Sequence, residues 1–180
     1  MLDAGYQASC IKHPPTHKTF LGNEDGVMRL RDVLEGKGRE VRSILSQATC
    51  AEVVTELVRF NIGSLIVRES SDSPVLGIIT ERDILRAQAQ HGQPLEELTV
   101  DAIMSRDLVT ARPDDDIEVA MHLMTTRRIR HLPVIDGEEL YGLISIGDVV
   151  KAAHDELERE NHHMRSYIQG GGSSAVAPLG

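Results

Sequence analysis

The chain says the same thing twice. Gly77-Ile78-Ile79-Thr80-Glu81-Arg82-Asp83-Ile84-Leu85 returns 65 residues later as Gly142-Leu143-Ile144-Ser145-Ile146-Gly147-Asp148-Val149-Val150. Upstream, Ile62-Gly63-Ser64-Leu65-Ile66-Val67 returns 67 residues later as Ile129-Arg130-His131-Leu132-Pro133-Val134. The change of two residues fits a shorter loop in the second copy, where Glu69 to Val75 becomes Asp136 to Leu140. An internal repeat ties the fold to two like units. Each unit is too small to bury its own sheet well, so the pair is expected to pack face to face about a pseudo-twofold axis.

Both copies have the same order of elements. A short strand (Val41 to Leu45; Leu108 to Ala111) precedes an amphipathic helix. In the first copy Val54, Leu57 and Val58 have helical spacing, and Thr49 with Glu52 three residues on makes a capping box. In the second, Ile117, Ala120, Met121 and Met124 line one face behind Asp114-Asp115-Asp116, which suits the positive end of a helix. Two aliphatic strands joined by a turn follow, then a second helix. The expected class is α/β (α+β): β-α-β-β-α twice, the first pairing parallel through a right-handed crossover, the second antiparallel.

This reading divides the chain into residues 1–26, disordered; 27–98, a first repeat with a preceding helix; 99–153, a second repeat; 154–169, a terminal helix extension; and 170–180, a flexible Gly/Ser tail. The extension, Lys151 to Gln169, reads as an exposed helix with Leu157, Met164 and Ile168 as occasional apolar contacts. Asp155 and Arg159 are spaced for an i, i+4 pair.

Composition closes off several functions. Aromatics are 3% with no Trp, and the formal net charge is −9. That leaves neither a base-stacking platform nor a broad basic face for nucleic acid. The dense basic run, Arg127-Arg128-Ile129-Arg130-His131, has the size for a few phosphate oxygens. No apolar run reaches the length of a membrane span, and the first twenty residues have no signal-peptide core. Cys10 and Cys50 make no disulfide framework, and Cys50 reads as a small core residue. A cytoplasmic protein is expected. His13 and His17 with Cys10 have a spacing that could bind a metal, but they flank Pro14-Pro15, and no metal site is expected.

The paired Gly-aliphatic-aliphatic-Thr/Ser-x-x-Asp motifs, Arg130-His131-Leu132-Pro133-Val134-Ile135, and Ile103-Met104-Ser105 at the opening of the second copy resemble the CBS (cystathionine-β-synthase) domain family. The resemblance covers residues 28–169 and looks most like small stand-alone bacterial pairs. It implies a tandem regulatory module with two clefts for adenosine ligands such as AMP, ADP, ATP or NAD(H), a flat homodimer, no catalytic cofactor, and a regulated partner protein as yet unidentified.

The chemistry of an adenosine nucleotide suits these residues. A ribose diol offers two donors that an ionised carboxylate can accept, the role expected for Asp83 and Asp148. Thr80 and Ser145 open the helices carrying them, where the N-terminus attracts phosphate. Gly147 permits close approach to the backbone, and Arg82 adds a guanidinium in the first copy. Arg130 and His131 are expected to clamp phosphate in the second copy. Their first-copy counterparts, Gly63 and Ser64, offer backbone and hydroxyl only, so two unequal sites are expected. Contacts to the base are assigned to Ser43, Ile44, Thr110, Ala111, Leu65 and Pro133.

Plainer readings stand beside these. Ser/Thr-x-x-Asp at a helix start is also a cap, the arginines suit a helix C-terminus in solvent, and the base contacts could be core. The rivals to a nucleotide sensor are an interaction module with empty clefts and a small nucleotide-processing enzyme. The sequence has no Walker-type loop or evident nucleophile–base pair to support the enzyme.

Overall fold

The computed structural model describes residues 11–12 and 28–170. Its elements are β1 (Ile11–Lys12), α1 (Leu30–Lys37), β2 (Ser43–Leu45), α2 (Cys50–Phe60), β3 (Ser64–Arg68), β4 (Gly77–Thr80) and α3 (Glu81–His91). They continue with α4 (Val100–Ile103), β5 (Leu108–Val109), α5 (Ile117–Arg127), β6 (His131–Asp136), β7 (Glu139–Ser145) and α6 (Ile146–Gly170).

The aliphatic run of β3 sits between two strands, parallel to β2 and antiparallel to β4. The second copy repeats this. β6 and β7 are antiparallel, and Ala111 makes a parallel bridge to Val134, as its first-copy counterpart Ile44 does with Val67. The α+β class and the tandem order hold. The first strands are shorter than expected, and β5 also pairs in parallel with β1. Ile11–Lys12 is therefore a strand inside the segment expected to be disordered. The rest of that segment, with Cys10, His13 and His17, lies outside the described residues, as does the tail from residue 171.

Helix α2 starts at the Thr49–Glu52 capping box expected from sequence. The Thr49 side chain accepts from the Glu52 N–H, and the Thr49 N–H donates to Glu52 Oε2 at 2.7 Å. Its buried stripe differs from the expected one. Cys50, Val53 and Leu57 face the core, and Val58 is 76% exposed. Taking Cys50 as the first inward position shifts the stripe by one residue, and Val58 then points outward. Burial pushes the Cys50 thiol pKa up, in keeping with a core role. On α5, Ile117, Ala120 and Met124 are buried and Met121 packs at the margin.

The helix preceding each copy does not pack on the copy it precedes. The Leu30 N–H donates to the Asp115 carbonyl at 3.0 Å, Arg31 N–H to Pro113 at 2.9 Å, and Ile117 N–H to Met28 at 3.3 Å. In the same places on the first copy, Val100 donates to Ala48 at 2.9 Å, Asp101 to Ser46 at 2.9 Å, and Cys50 to Leu98 at 2.8 Å. Residues 28–34 and 98–104 are thus equivalent straps, exchanged between copies. Leu30 and Leu34 belong to a core with Ile117, Leu132, Val134 and Ile144. Leu98, Val100 and Met104 belong to the other, with Val53, Leu65, Val67 and Ile79.

Two motif glycines are required by these straps. A Cβ on Gly77 would lie 2.8 Å from the Ser105 carbonyl oxygen, and one on Gly142 would lie 2.7 Å from Leu34 Cδ2. Ser105 is fixed by its paired bonds to Ile78, 3.0 and 2.9 Å, so backbone would have to move. Gly77→Ala is expected to lower folding stability by about 1–3 kcal/mol, read from urea denaturation. An unchanged midpoint would show that the strap is loose.

Helix α6 runs unbroken through the boundary expected near residue 153. Within it Arg159 pairs with Glu156 at 3.5 Å rather than with Asp155, which instead approaches His154 at 3.9 Å. The i, i+3 neighbour is nearer to the Arg159 rotamer than the i, i+4 one. Among the described residues no helix is long and apolar enough to cross a membrane.

Candidate functional site

Both motifs build the same helix start. Thr80 N–H and Oγ1 donate to Asp83 Oδ2 at 2.9 and 2.7 Å. Ser145 N–H and Oγ donate to Asp148 Oδ2 at 2.7 and 2.8 Å. Capping is therefore real in both copies, and it fixes each carboxylate at the rim of its helix.

A cleft of about 260 Å³ opens in front of the first motif. From the end of β4 it takes Thr80 and from α3 Arg82, Asp83 and Arg86; from the second copy it takes Arg128, Arg130, His131 and Pro133. Gly63, Ile78, Leu108 and Val109 also line it, as do Ser105 and Asp107. The arrangement corrects the expected division of charge. Arg130 and His131 were assigned to the second copy's own site, yet they face the first motif. The reason is packing across the pseudo-axis: a Cβ on Gly63 would stand 3.1 Å from His131 Cε1, so the missing side chain admits the imidazole. Arg82 also reaches across, donating to the Arg128 carbonyl at 3.4 Å.

Four arginines thus line one cleft, together with the acids Glu81, Asp83 and Asp107. The lining carries a formal surplus of one positive charge, and guanidinium forks match phosphate oxygens. His131 is not a further cation. Burial holds its imidazole below the ordinary value, against the raising influence of Glu81 and Asp148. It offers a neutral ring at neutral pH.

The other sequence candidates lie elsewhere. Ser64 is buried in β3, Thr110 is buried just beyond β5, and Ser43 is exposed at the edge strand β2; none lines this cleft. Next to Thr110, Leu108 and Val109 of β5 line the cleft instead. Leu65 is likewise wholly buried and Ala111 nearly so. Ser145, Gly147 and Asp148 stand together at the start of α6, apart from this lining. A Cβ on Gly147 would meet nothing nearer than Ser145 Oγ at 3.6 Å, which leaves its backbone approachable.

Three contributors escaped the sequence reading. Arg86 was detectable in principle, three residues after Asp83 on the same helix, with Nη1 3.8 Å from Asp83 Oδ1. Asp107 and Lys37 were not, because both are placed by the exchanged straps. Lys37 Nζ lies 2.6 Å from Asp148 Oδ2. Burial opposes ionisation of Asp148, but the Lys37 hydrogen bond and those from Ser145 outweigh it and hold the carboxyl below its ordinary value.

Two exchanged β-α-β-β-α repeats, each with a Thr/Ser-capped Asp beside the copy interface, define a tandem module of CBS type. The CBS domain model matches residues 26–90 and 100–155, and the chain belongs to the CBS domain family. It is 36% identical over 149 residues to a mitochondrial CBS domain-containing protein of Arabidopsis thaliana, covering 79% of this chain and 72% of the relative. A CBS-domain containing protein of Agrobacterium tumefaciens superposes with a TM-score of 0.69 at 34% identity, covering 74% of this chain and 98% of that one. A CBS domain pair solved with 5′-methylthioadenosine and S-adenosyl-L-methionine shares the fold, with a TM-score of 0.59 at 22% identity over 72% of this chain and 98% of that one.

Proposed function

We propose that this module is a regulatory sensor that binds an adenosine nucleotide in the cleft between α3 and the start of β6. The observation that carries the reading is the joining of a capped carboxylate, Asp83, with Arg82, Arg86, Arg128 and Arg130 around one concavity. The carboxylate suits a ribose diol, and the arginines suit phosphate. AMP, ADP, ATP and NAD(H) share both groups. The cationic S-adenosyl-L-methionine held by the structural relative lacks phosphate, and the arginines disfavour it here.

In this reading the protein catalyses no reaction and signals through a partner. Self-association is part of it. Leu85 and Val150, which occupy the same motif position in the two copies, are 72% and 57% exposed on α3 and α6, as apolar faces awaiting a second copy would be. A homodimer is expected in light scattering at micromolar concentration, and a monomer there removes that part. A cytoplasmic setting fits Cys50, kept as a buried free thiol.

The test is equilibrium binding of AMP, ADP, ATP, NAD and NADH, with S-adenosyl-L-methionine as contrast. A phosphate-bearing ligand at about 100 times its dissociation constant should stabilise folding by roughly 2.7 kcal/mol, visible as a rise in Tm. Absence of any shift at millimolar concentration would reject the sensor in favour of an interaction module with empty clefts. Recovery of the ligand unchanged after long incubation separates a sensor from an enzyme.

A further inference from the structure

We infer that Lys37 is a built-in occupant of the second motif: its ammonium takes the Asp148 oxygen that a ribose diol held on both carboxylate oxygens would need, so each chain takes nucleotide at the Asp83 cleft alone. This rests on the nucleotide reading above and adds which site is open and what closes the other.

The two motifs are alike until their straps are considered. Asp83 Oδ2 and Asp148 Oδ2 each accept the backbone N–H and hydroxyl of the residue that opens their helix. Asp148 Oδ2 then accepts a third donor, Lys37 Nζ at 2.6 Å. With three donors Oδ2 has no lone pair left to offer, so a diol can no longer be accepted on both oxygens of Asp148 and only Oδ1 remains. The described cation beside Asp83 is Arg86, on the other oxygen and at 3.8 Å.

Lys37 is not a loosely placed surface lysine. It ends α1, and Leu34 one turn earlier is wholly buried against Gly142. On its other side Arg39 lies 3.8 Å over the Tyr141 ring and donates to the Tyr141 carbonyl at 3.2 Å. Both flanks of the lysine are therefore pinned to β7, the strand that leads into Ser145 and Asp148. Between them Gly38 takes φ +98°, which lets the chain turn away directly after the ammonium is delivered.

The equivalent strap does the opposite at the first cleft. Leu34 and Met104 correspond, each lying over its motif glycine. Beyond them the backbones part. Helix α4 stops at Ile103 and the chain bridges to Ile78 through Ser105, whereas α1 runs one turn further. In sequence register the residue matching Lys37 is Asp107, and it lines the open cleft. One strap thus brings a cation onto its carboxylate, and the other brings an acid to the cleft side.

The experiment is isothermal titration with ADP of the parent chain, Lys37→Met and Lys37→Met/Asp148→Asn, with melting curves of each free protein. Methionine keeps the apolar stem and removes the charge; Lys37→Gln serves if the methionine variant does not fold. The expected result is one equivalent for the parent, two for Lys37→Met, and one again for the double variant. If Lys37→Met binds one equivalent, or binds more weakly than the parent, Lys37 is not an occupant and the inference falls with the nucleotide reading intact. A parent that already binds two equivalents also overturns it. If the parent binds none and Lys37→Met binds one that Asp148→Asn removes, the Asp83 assignment falls and the Lys37 inference stands. Binding by neither overturns both.

Discussion

Asp83→Asn is expected to weaken nucleotide binding by about 10- to 150-fold, the equivalent of losing a charge-assisted hydrogen bond of roughly 1.5–3 kcal/mol. The substitution is nearly isosteric. Asparagine caps a helix about as well as aspartate, so the bonds from Thr80 N–H and Oγ1 to position 83 can persist. What disappears is an ionised acceptor, only 11% exposed, that can take both hydroxyls of a diol. The partial ion pair with Arg86 involves a guanidinium in solvent and contributes at most about 1 kcal/mol. Affinity should therefore fall much further than ligand-free stability. Calorimetry with melting curves decides the matter. Parental affinity in a folded Asp83→Asn protein would reduce the residue to a cap and move the ribose elsewhere.

The second large effect concerns the exchanged straps. Leu34→Ala should cost about 2–5 kcal/mol, since it empties a wholly buried site. The place of the damage is the sharper test. Leu34 precedes the first copy in sequence but packs with Leu132, Val134 and Ile144 of the second. Hydrogen exchange should therefore quicken first in β6 and β7, while Leu65, Val67 and Ile79 in β3 and β4 stay protected. Loss of protection concentrated in β3 and β4 would mean that the strap serves its own copy.

Much of this architecture could be read from the chain, because the repeat carries its own control. A Thr-x-x-Asp could be any cap; the same spacing after the same Gly-aliphatic-aliphatic run, twice, could not be read so freely. The caps, the strand order and the aliphatic cores followed from local rules. Interfaces between distant segments did not. The stripe of α2 was misplaced because Val58 is as apolar as Val53, and only the packed sheet chooses between them. Arg130 and His131 were assigned to the nearer motif in sequence, but the glycine at position 63 draws the imidazole across the pseudo-axis. Lys37 carried no signal at all. A lysine at the end of a short helix is ordinary, and its partner lies 111 positions away.

Helix α6 gives the Asp148 corner a mechanical consequence. The same helix that begins at this carboxylate continues for 25 residues, roughly 37 Å at 1.5 Å per residue. Its first turns are held in the second core by Val149 and Ala152, so that capped end is the fixed end of a long lever. A tilt of about 10° at the pivot sweeps the far tip by about 6 Å over that length, enough to exchange one set of surface contacts for another. A small displacement at the Lys37–Asp148 corner would thus be magnified at the far tip of the helix.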